Sequence, residues 1–139
     1  MHILQSPEFS GVTHVASYIS YGQEPQTADI NSQLIQRGIK VIVPKLLPDN
    51  DLAWMKLTEQ GDFEDLEKVG VVIIPALRVD HKGNRLGQGG GSYDRALPRF
   101  AAWKIALLHN GEFVNLEIPH EEHDARIDAV ATPTAITRF

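Results

Sequence analysis

Residues 69–100 read VGVVIIPALRVDHKGNRLGQGGGSYDRALPRF. The first seven, VGVVIIP, are apolar and rich in β-branched side chains, the pattern of a strand buried on both faces. Pro75 closes that strand, because proline cannot donate to a ladder. A turn follows around residues 80–84. Four glycines then fall within five residues, at positions 87, 89, 90 and 91. Residues 92–100 return to a helical period, with Tyr93, Ala96, Leu97 and Phe100 on one face. Strand, glycine loop and helix in that order predict an α/β domain. The loop should lie beyond the carboxyl end of the strand, where such sheets collect ligands.

The same pattern extends outward. THVASYI (13–19) reads as a buried strand and YGQEP (21–25) as a turn. Pro25 keeps Glu24 out of the helical region. From Thr27 the spacing predicts a helix, with Ile30, Leu34 and Ile35 on one face, Thr27 as its N-cap and Gly38 as its stop. KVIV (40–43) is the next strand, so the order is that of a parallel βαβ unit. LAWMKL (52–57) reads as an edge strand and 62–68 as an acidic helical turn. Further strands are expected at 103–108, 114–118 and 127–131. The first dozen residues show no periodicity and read as an arm. The expected fold class is α/β, a three-layer sandwich with a mainly parallel sheet flanked by helices on both faces. One domain is expected to span residues 1–139.

Composition narrows the function. A chain of 139 residues builds one core. Its 42% hydrophobic and 22% charged content is that of a globular domain, which excludes long disorder. No apolar run approaches the roughly 20 residues of a membrane span, and no signal-peptide zones are present. Cysteine is absent, which excludes disulfides, thiolate metal sites and a thiol nucleophile and fits a cytoplasmic protein. A net charge of -5 argues against a broad nucleic-acid face.

The glycine cluster is then the main chemical signal. Glycine permits positive φ and close approach of backbone to ligand. Successive N–H groups in such a turn can converge on one anion. Arg85 and Arg95 flank the turn and suit a phosphate cradle. The loop is neither a Walker A motif, for no Lys-Ser or Lys-Thr follows the glycines, nor a GxGxxG dinucleotide fingerprint. Asp94 has two readings: a Mg²⁺ ligand beside a polyphosphate, or complement to the helix dipole. Asp124, in HEEHD (120–124), is either a second carboxylate for the same ion or a solvated loop residue. HEEHD lacks the HExxH spacing of a zinc site. Glu24, held in a turn after the first strand, suits contact with a polar ligand, or is an exposed turn carboxylate.

The run PALRVDHKGNRLGQGGGSYDR (75–95) resembles the signature of the 5-formyltetrahydrofolate cyclo-ligase (5,10-methenyltetrahydrofolate synthetase) family. SYISYGQEPQT (17–27) is similar to that family's first strand and glutamate turn. IPHEEHDARIDAVATP (118–133) is similar to its closing segment. The resemblance covers roughly residues 13–134 and implies ATP- and Mg²⁺-dependent conversion of 5-formyltetrahydrofolate to 5,10-methenyltetrahydrofolate. ADP and phosphate are released after phosphoryl activation of the formyl oxygen. It implies that Arg85, Leu86, Gly87, Gln88, Gly89, Gly90, Gly91, Ser92 and Tyr93 bind ATP, with Arg85 and Tyr93 catalytic. Gln88, Gly89, Gly90, Gly91 and Ser92 would also approach the folate, together with Ile19 and Glu24. Asp94 and Asp124 would hold Mg²⁺. The implied partner is a reduced folate, with no nucleic acid or membrane, in a monomer or homodimer. The chain departs from the family pattern in three ways. It lacks the long N-terminal helix whose Lys and Arg contact ATP, shortens the segment before Val71, and carries Ser92 where an aromatic is frequent. Two further readings stand beside this one: a phosphate- or nucleotide-binding relative without the folate reaction, and a non-enzymatic binding domain on the same fold.

Overall fold

The computed structural model describes residues 2–87, 91–122 and 124–139. A seven-stranded sheet forms its centre, built from β1 (His14–Ala16), β2 (Lys40–Leu46), β3 (Leu52–Lys56), β4 (Val69–Pro75), β7 (Trp103–Leu107), β9 (Ala129–Ala131) and β10 (Ile136–Arg138). The spatial order is β10-β9-β7-β4-β1-β2-β3. The five inner strands are parallel, and β3 and β10 close the two edges antiparallel. A second sheet of three short strands has the order β6-β5-β8, from β5 (Arg78–Asp80), β6 (Arg85–Leu86) and β8 (Phe113–Val114).

The central strands are sandwiched between two cores, and side chains alternate between them with the period of two that a strand imposes. Val71 and Ile73 of β4 point into one core with Ile30 and Leu34 of α1 (Ala28–Gln36). Val72 and Ile74 point into the other, with Ala96 of α2 (Ser92–Ala96) and Leu97 and Phe100 beyond it. All four β4 side chains are completely buried. Each contributes roughly 2 kcal/mol of burial free energy. This two-sided burial is why VGVVIIP reads as a continuous apolar run.

Several local expectations change. The stretch read as an arm forms two 3-10 turns, His2–Gln5 and Pro7–Phe9, and buries Ile3, Leu4 and Phe9 in the α1-side core. Three apolar residues in an irregular segment pack without showing a period. The helix expected over 92–100 is α-helical only to Ala96 and tightens into a 3-10 turn over Leu97–Arg99, where Pro98 has no N–H to donate. The strand expected over 114–118 shrinks to Phe113–Val114, and β10 was not foreseen. The second face is covered by α2 and the small sheet together, not by helices alone, because Val79 of β5 shares its core. Ile35, expected on the apolar face of α1, is partly exposed.

Asp80 ties the small sheet together, a role unread from sequence. It is buried, and its carboxylate accepts the N–H groups of Lys82 at 2.9 Å, Asn84 at 3.0 Å and Ile118 at 2.8 Å, with the Asn84 side-chain amide at 3.0 Å. Burial alone raises its pKa. The Asn84 side chain and the three backbone N–H groups outweigh burial and bring it down to about 2, from 3.8. A depressed folded-state pKa gives stability that is present above the unfolded value and lost as pH falls through the folded one. That contribution is therefore expected to drain between about pH 4 and pH 2. Asp80→Ala strands several buried N–H groups and is expected to cost about 3 kcal/mol in urea unfolding at neutral pH. A variant whose unfolding midpoint is unchanged would show that these bonds are replaced by water at no cost.

Candidate active site

Chain order reverses beside β1. The chain passes from β1 to β2 on one side, then returns to place β4 on the other. In open parallel sheets this reversal leaves a crevice at the carboxyl ends of the two strands. Two sequence-predicted segments leave the sheet there. The Glu24 turn follows β1, and the segment leading to Arg85 and the glycines follows β4. One topological feature thus brings together residues more than sixty positions apart.

The Arg85 side of the crevice is built by the small sheet. Pairing of β6 with β5 sets Arg85 opposite Val79. The guanidinium turns back over the end of β4, donating from Nη1 to the Pro75 carbonyl at 3.3 Å. It also sits 5.2 Å from the centroid of the Tyr93 ring, within cation–π range. Its Nε is buried and has no hydrogen-bond partner among the described residues. Burial pulls the Arg85 pKa below its ordinary value, while Asp94, Tyr93 and Asp124 act in the opposite sense. Both carboxylates are therefore within electrostatic reach of this cation. A side chain at Gly87 would put its Cβ 2.7 Å from Arg85 Nη1, so the backbone passes close beside the guanidinium. Gly91 enters α2 with φ of 69°, in the left-handed region that glycine tolerates best.

Asp94 lies in the first turn of α2, and its Oδ1 accepts the Ala125 N–H at 3.1 Å. That bond draws the Asp124 segment against α2. Asp124 closes its own turn by accepting the Glu121 N–H at 2.9 Å. Tyr93 is enclosed. Burial pushes its phenol up, an effect that Arg85 opposes and Glu24 reinforces, so Tyr93 is a neutral hydroxyl at physiological pH. Glu24, in the turn on the β1 side, is therefore within electrostatic reach of Tyr93.

That side is a cavity of about 320 Å³, whose lining includes Ile19, Ser20, Tyr21, Glu24, Thr27 and Asn31. Ile19 and Tyr21 are 65% and 73% exposed, an uncovered apolar rim. Glu24 folds its own turn, with Oε1 accepting the Tyr21 N–H at 3.0 Å. The tip of the turn is held from β7's side, where His109 Nε2 lies 2.6 Å from the Gln23 carbonyl.

Arg85, Tyr93, Asp94 and Asp124 thus lie within electrostatic reach of one another, Gly87 and Gly91 flank them, Ser92 opens α2, and Ile19 and Glu24 line the cavity after β1. Gln88, Gly89 and Gly90 lie outside the described residues. Leu86 is partly exposed, and its carbonyl accepts the Leu77 N–H at 2.8 Å. Arg95 pairs with Asp51 at 2.7 Å and donates to the Asn50 carbonyl at 2.9 Å, and its Nη1 stands 3.1 Å from where a Cβ on Gly91 would sit, so it flanks the loop from the α2 side. Ser17, Tyr18, Ser20 and Asn31 were not marked in the sequence, and Thr27 was marked only as a helix cap. Their polar groups are buried among strand and helix signals, and nothing local distinguishes them.

Two groups that the family resemblance implies can be tested against these residues. A polyphosphate fits, because Arg85, whose buried Nε has no hydrogen-bond partner among the described residues, stands beside backbone that a Cβ would obstruct. A magnesium ion fits the donor set: two carboxylates offer hard oxygen ligands, and this ion usually keeps water and phosphate oxygens as the remainder. Among the described residues no cluster of three His, Asp or Glu forms a closed metal site of the structural zinc type. No helix among them is long and apolar enough to cross a membrane.

Comparisons with known proteins point the same way. The family model described as the 5-formyltetrahydrofolate cyclo-ligase family matches residues 1–133. The match includes the N-terminal stretch expected to be an arm. The 5-formyltetrahydrofolate cyclo-ligase of Mycolicibacterium smegmatis is 32% identical over 155 residues, covering 94% of this chain and 78% of the relative. That of Escherichia coli K12 is 29% identical over 144 residues, covering 88% and 79%. The solution structure of Aquifex aeolicus 5,10-methenyltetrahydrofolate synthetase superposes with a TM-score of 0.82 at 21% identity, over 99% of this chain and 77% of the other. That likeness carries the fold.

Proposed function

The chain belongs to the 5-formyltetrahydrofolate cyclo-ligase family, and we propose that it converts 5-formyltetrahydrofolate to 5,10-methenyltetrahydrofolate at the expense of ATP. The observation that carries this is the half-buried Arg85 guanidinium, over the Tyr93 ring and within electrostatic reach of Asp94 and Asp124, at the sheet edge that also bears the Glu24 cavity. One half of the crevice suits phosphates and the other a flat polar ring.

The residues divide the work accordingly. Arg85, with the backbone from Leu86 through Gln88, Gly89 and Gly90 to Ser92, holds the phosphates of ATP. Phosphoryl transfer needs positioning and charge stabilisation more than a protein nucleophile. A guanidinium already desolvated in the crevice loses little to reorganisation when charge develops beside it. Tyr93, protonated, offers a neutral hydroxyl and keeps Arg85 in place by its ring. Asp94 and Asp124 hold magnesium, which neutralises phosphate charge when bound. Glu24 accepts hydrogen bonds from the pterin, and Ile19 packs against its face. The formyl oxygen then lies toward Arg85, where it accepts the phosphoryl group. N10 of the same folate closes the ring on the formyl carbon and loses its proton to solvent, and the former formyl oxygen leaves with phosphate.

The test is an absorbance assay for methenyl-folate formation from 5-formyltetrahydrofolate, ATP and Mg²⁺, with ADP measured in parallel. Turnover with one ADP per methenyl product is the expected result. A folded full-length chain that forms no methenyl product would sink the reading.

A further inference from the structure

Thr27 precedes α1 at the N-cap position, yet its side chain makes no capping bond. An N-cap threonine typically contributes about 1 kcal/mol to its helix. Here the hydroxyl is diverted. Its Oγ1 donates to the Tyr18 carbonyl at 2.6 Å and accepts the Ser20 N–H at 3.1 Å. The Thr27 N–H in turn donates to Ser20 Oγ at 3.0 Å. One turn into α1, the Asn31 side chain donates to the same Tyr18 carbonyl at 3.1 Å and accepts Ser17 Oγ at 2.6 Å. Ser17, Thr27 and Asn31 are all buried.

The reciprocal Ser20–Thr27 pair closes the neck of a loop whose intervening residues include Gly22 and Glu24. Both the loop and its clasp line the 320 Å³ cavity. A loop closed by a reciprocal pair of part-buried bonds holds its conformation without ligand, and such preorganisation lowers the cost of binding.

We propose that the Ser20–Thr27 clasp positions the substrate-binding turn, and that Thr27 sets where Glu24 presents its carboxylate. The proposal deepens the folate reading and takes its ligand from it. Thr27 acts through the turn, since its hydroxyl is already engaged by Tyr18 and Ser20. Valine keeps the shape of threonine but leaves the Ser20 N–H without its acceptor. The effect is confined to the β1 side of the crevice, and the Arg85 side is untouched.

Thr27→Val, Thr27→Ser and Ser20→Ala in the full chain test it. Thr27→Val is expected to raise KM for 5-formyltetrahydrofolate about tenfold, the equivalent of one lost hydrogen bond. Its kcat should stay within about twofold, the pattern of lost ground-state binding, with KM for ATP unchanged. Thr27→Ser, which restores the hydroxyl, should recover the wild-type KM. Ser20→Ala removes only the acceptor of the Thr27 N–H and carries the test if Thr27→Val does not fold. An unchanged folate KM, or an equal rise in both KM values, overturns the proposal. A second measurement needs no turnover. Amide exchange at Tyr21 and Glu24 should quicken about tenfold in Thr27→Val while the rest of α1 is unaffected. Loop-specific exchange in a chain that shows no turnover upholds the clasp and sinks the folate reading. Wild-type turnover with unaltered exchange and KM in the variant sinks the clasp alone.

Discussion

Arg85→Ala is expected to lower turnover about a thousandfold, at the low end of what cations bearing on a transferring phosphoryl group contribute. The guanidinium is largely desolvated and stands over Tyr93, and its buried Nε has no partner among the described residues. Its interaction with a phosphate is therefore less screened than at an exposed site. ATP affinity should fall with it, read by calorimetric titration of the nucleotide. The fold should survive, since the bond its guanidinium makes to backbone among the described residues, with Pro75, is long at 3.3 Å. Arg85→Lys is expected to rescue little. A lysine keeps the charge but loses the planar fork and the stacking surface. A folded Arg85→Ala chain with wild-type nucleotide affinity and rate removes the phosphate cradle from the account.

Asp94→Asn is expected to lower turnover about a hundredfold and to raise the Mg²⁺ concentration needed for half-maximal rate, because the variant loses an anionic oxygen ligand. Stability should barely move. Asparagine Oδ1 still accepts the Ala125 N–H that Asp94 now accepts at 3.1 Å, so the Asp124 segment stays docked on α2. This pairing separates the two sequence readings of Asp94. If the carboxylate only complemented the helix, the rate and its Mg²⁺ dependence would be unchanged and only the melting temperature would shift, by the small amount that a dipole interaction contributes. A Mg²⁺ titration of the rate beside a thermal melt distinguishes them.

These expectations rest on parts that were unequally visible beforehand. The strand–loop–helix run at 69–100 announced itself because β4 is buried on both faces and therefore apolar throughout. The Glu24 turn was visible through Pro25, and α1 through its period. The signature at 75–95 marked Arg85, Tyr93 and Asp94 as a group, and Glu24 and Asp124 by their flanking segments. Other features left no local trace. β6 is two residues long and β10 three, too short for a period. The N-terminal turns bury Ile3, Leu4 and Phe9 through contacts with α1-side strands that no nearby residue reveals.

From sequence alone came the α/β class, the glycine loop at a strand's carboxyl end, and the residue types that phosphate, metal and folate would require. Those are local properties: alternation, turn chemistry and the spacing of glycine and charge. Tertiary structure alone decided how the two arginines are held. Arg85 and Arg95 flank the glycines about equally in sequence, yet β5–β6 pairing sets the first over Tyr93, while the second pairs with Asp51 beside Gly91. It also decided that Thr27 clasps a loop instead of capping a helix. A hydrogen bond goes to whichever partner the fold brings within reach, and that depends on residues far away in the chain.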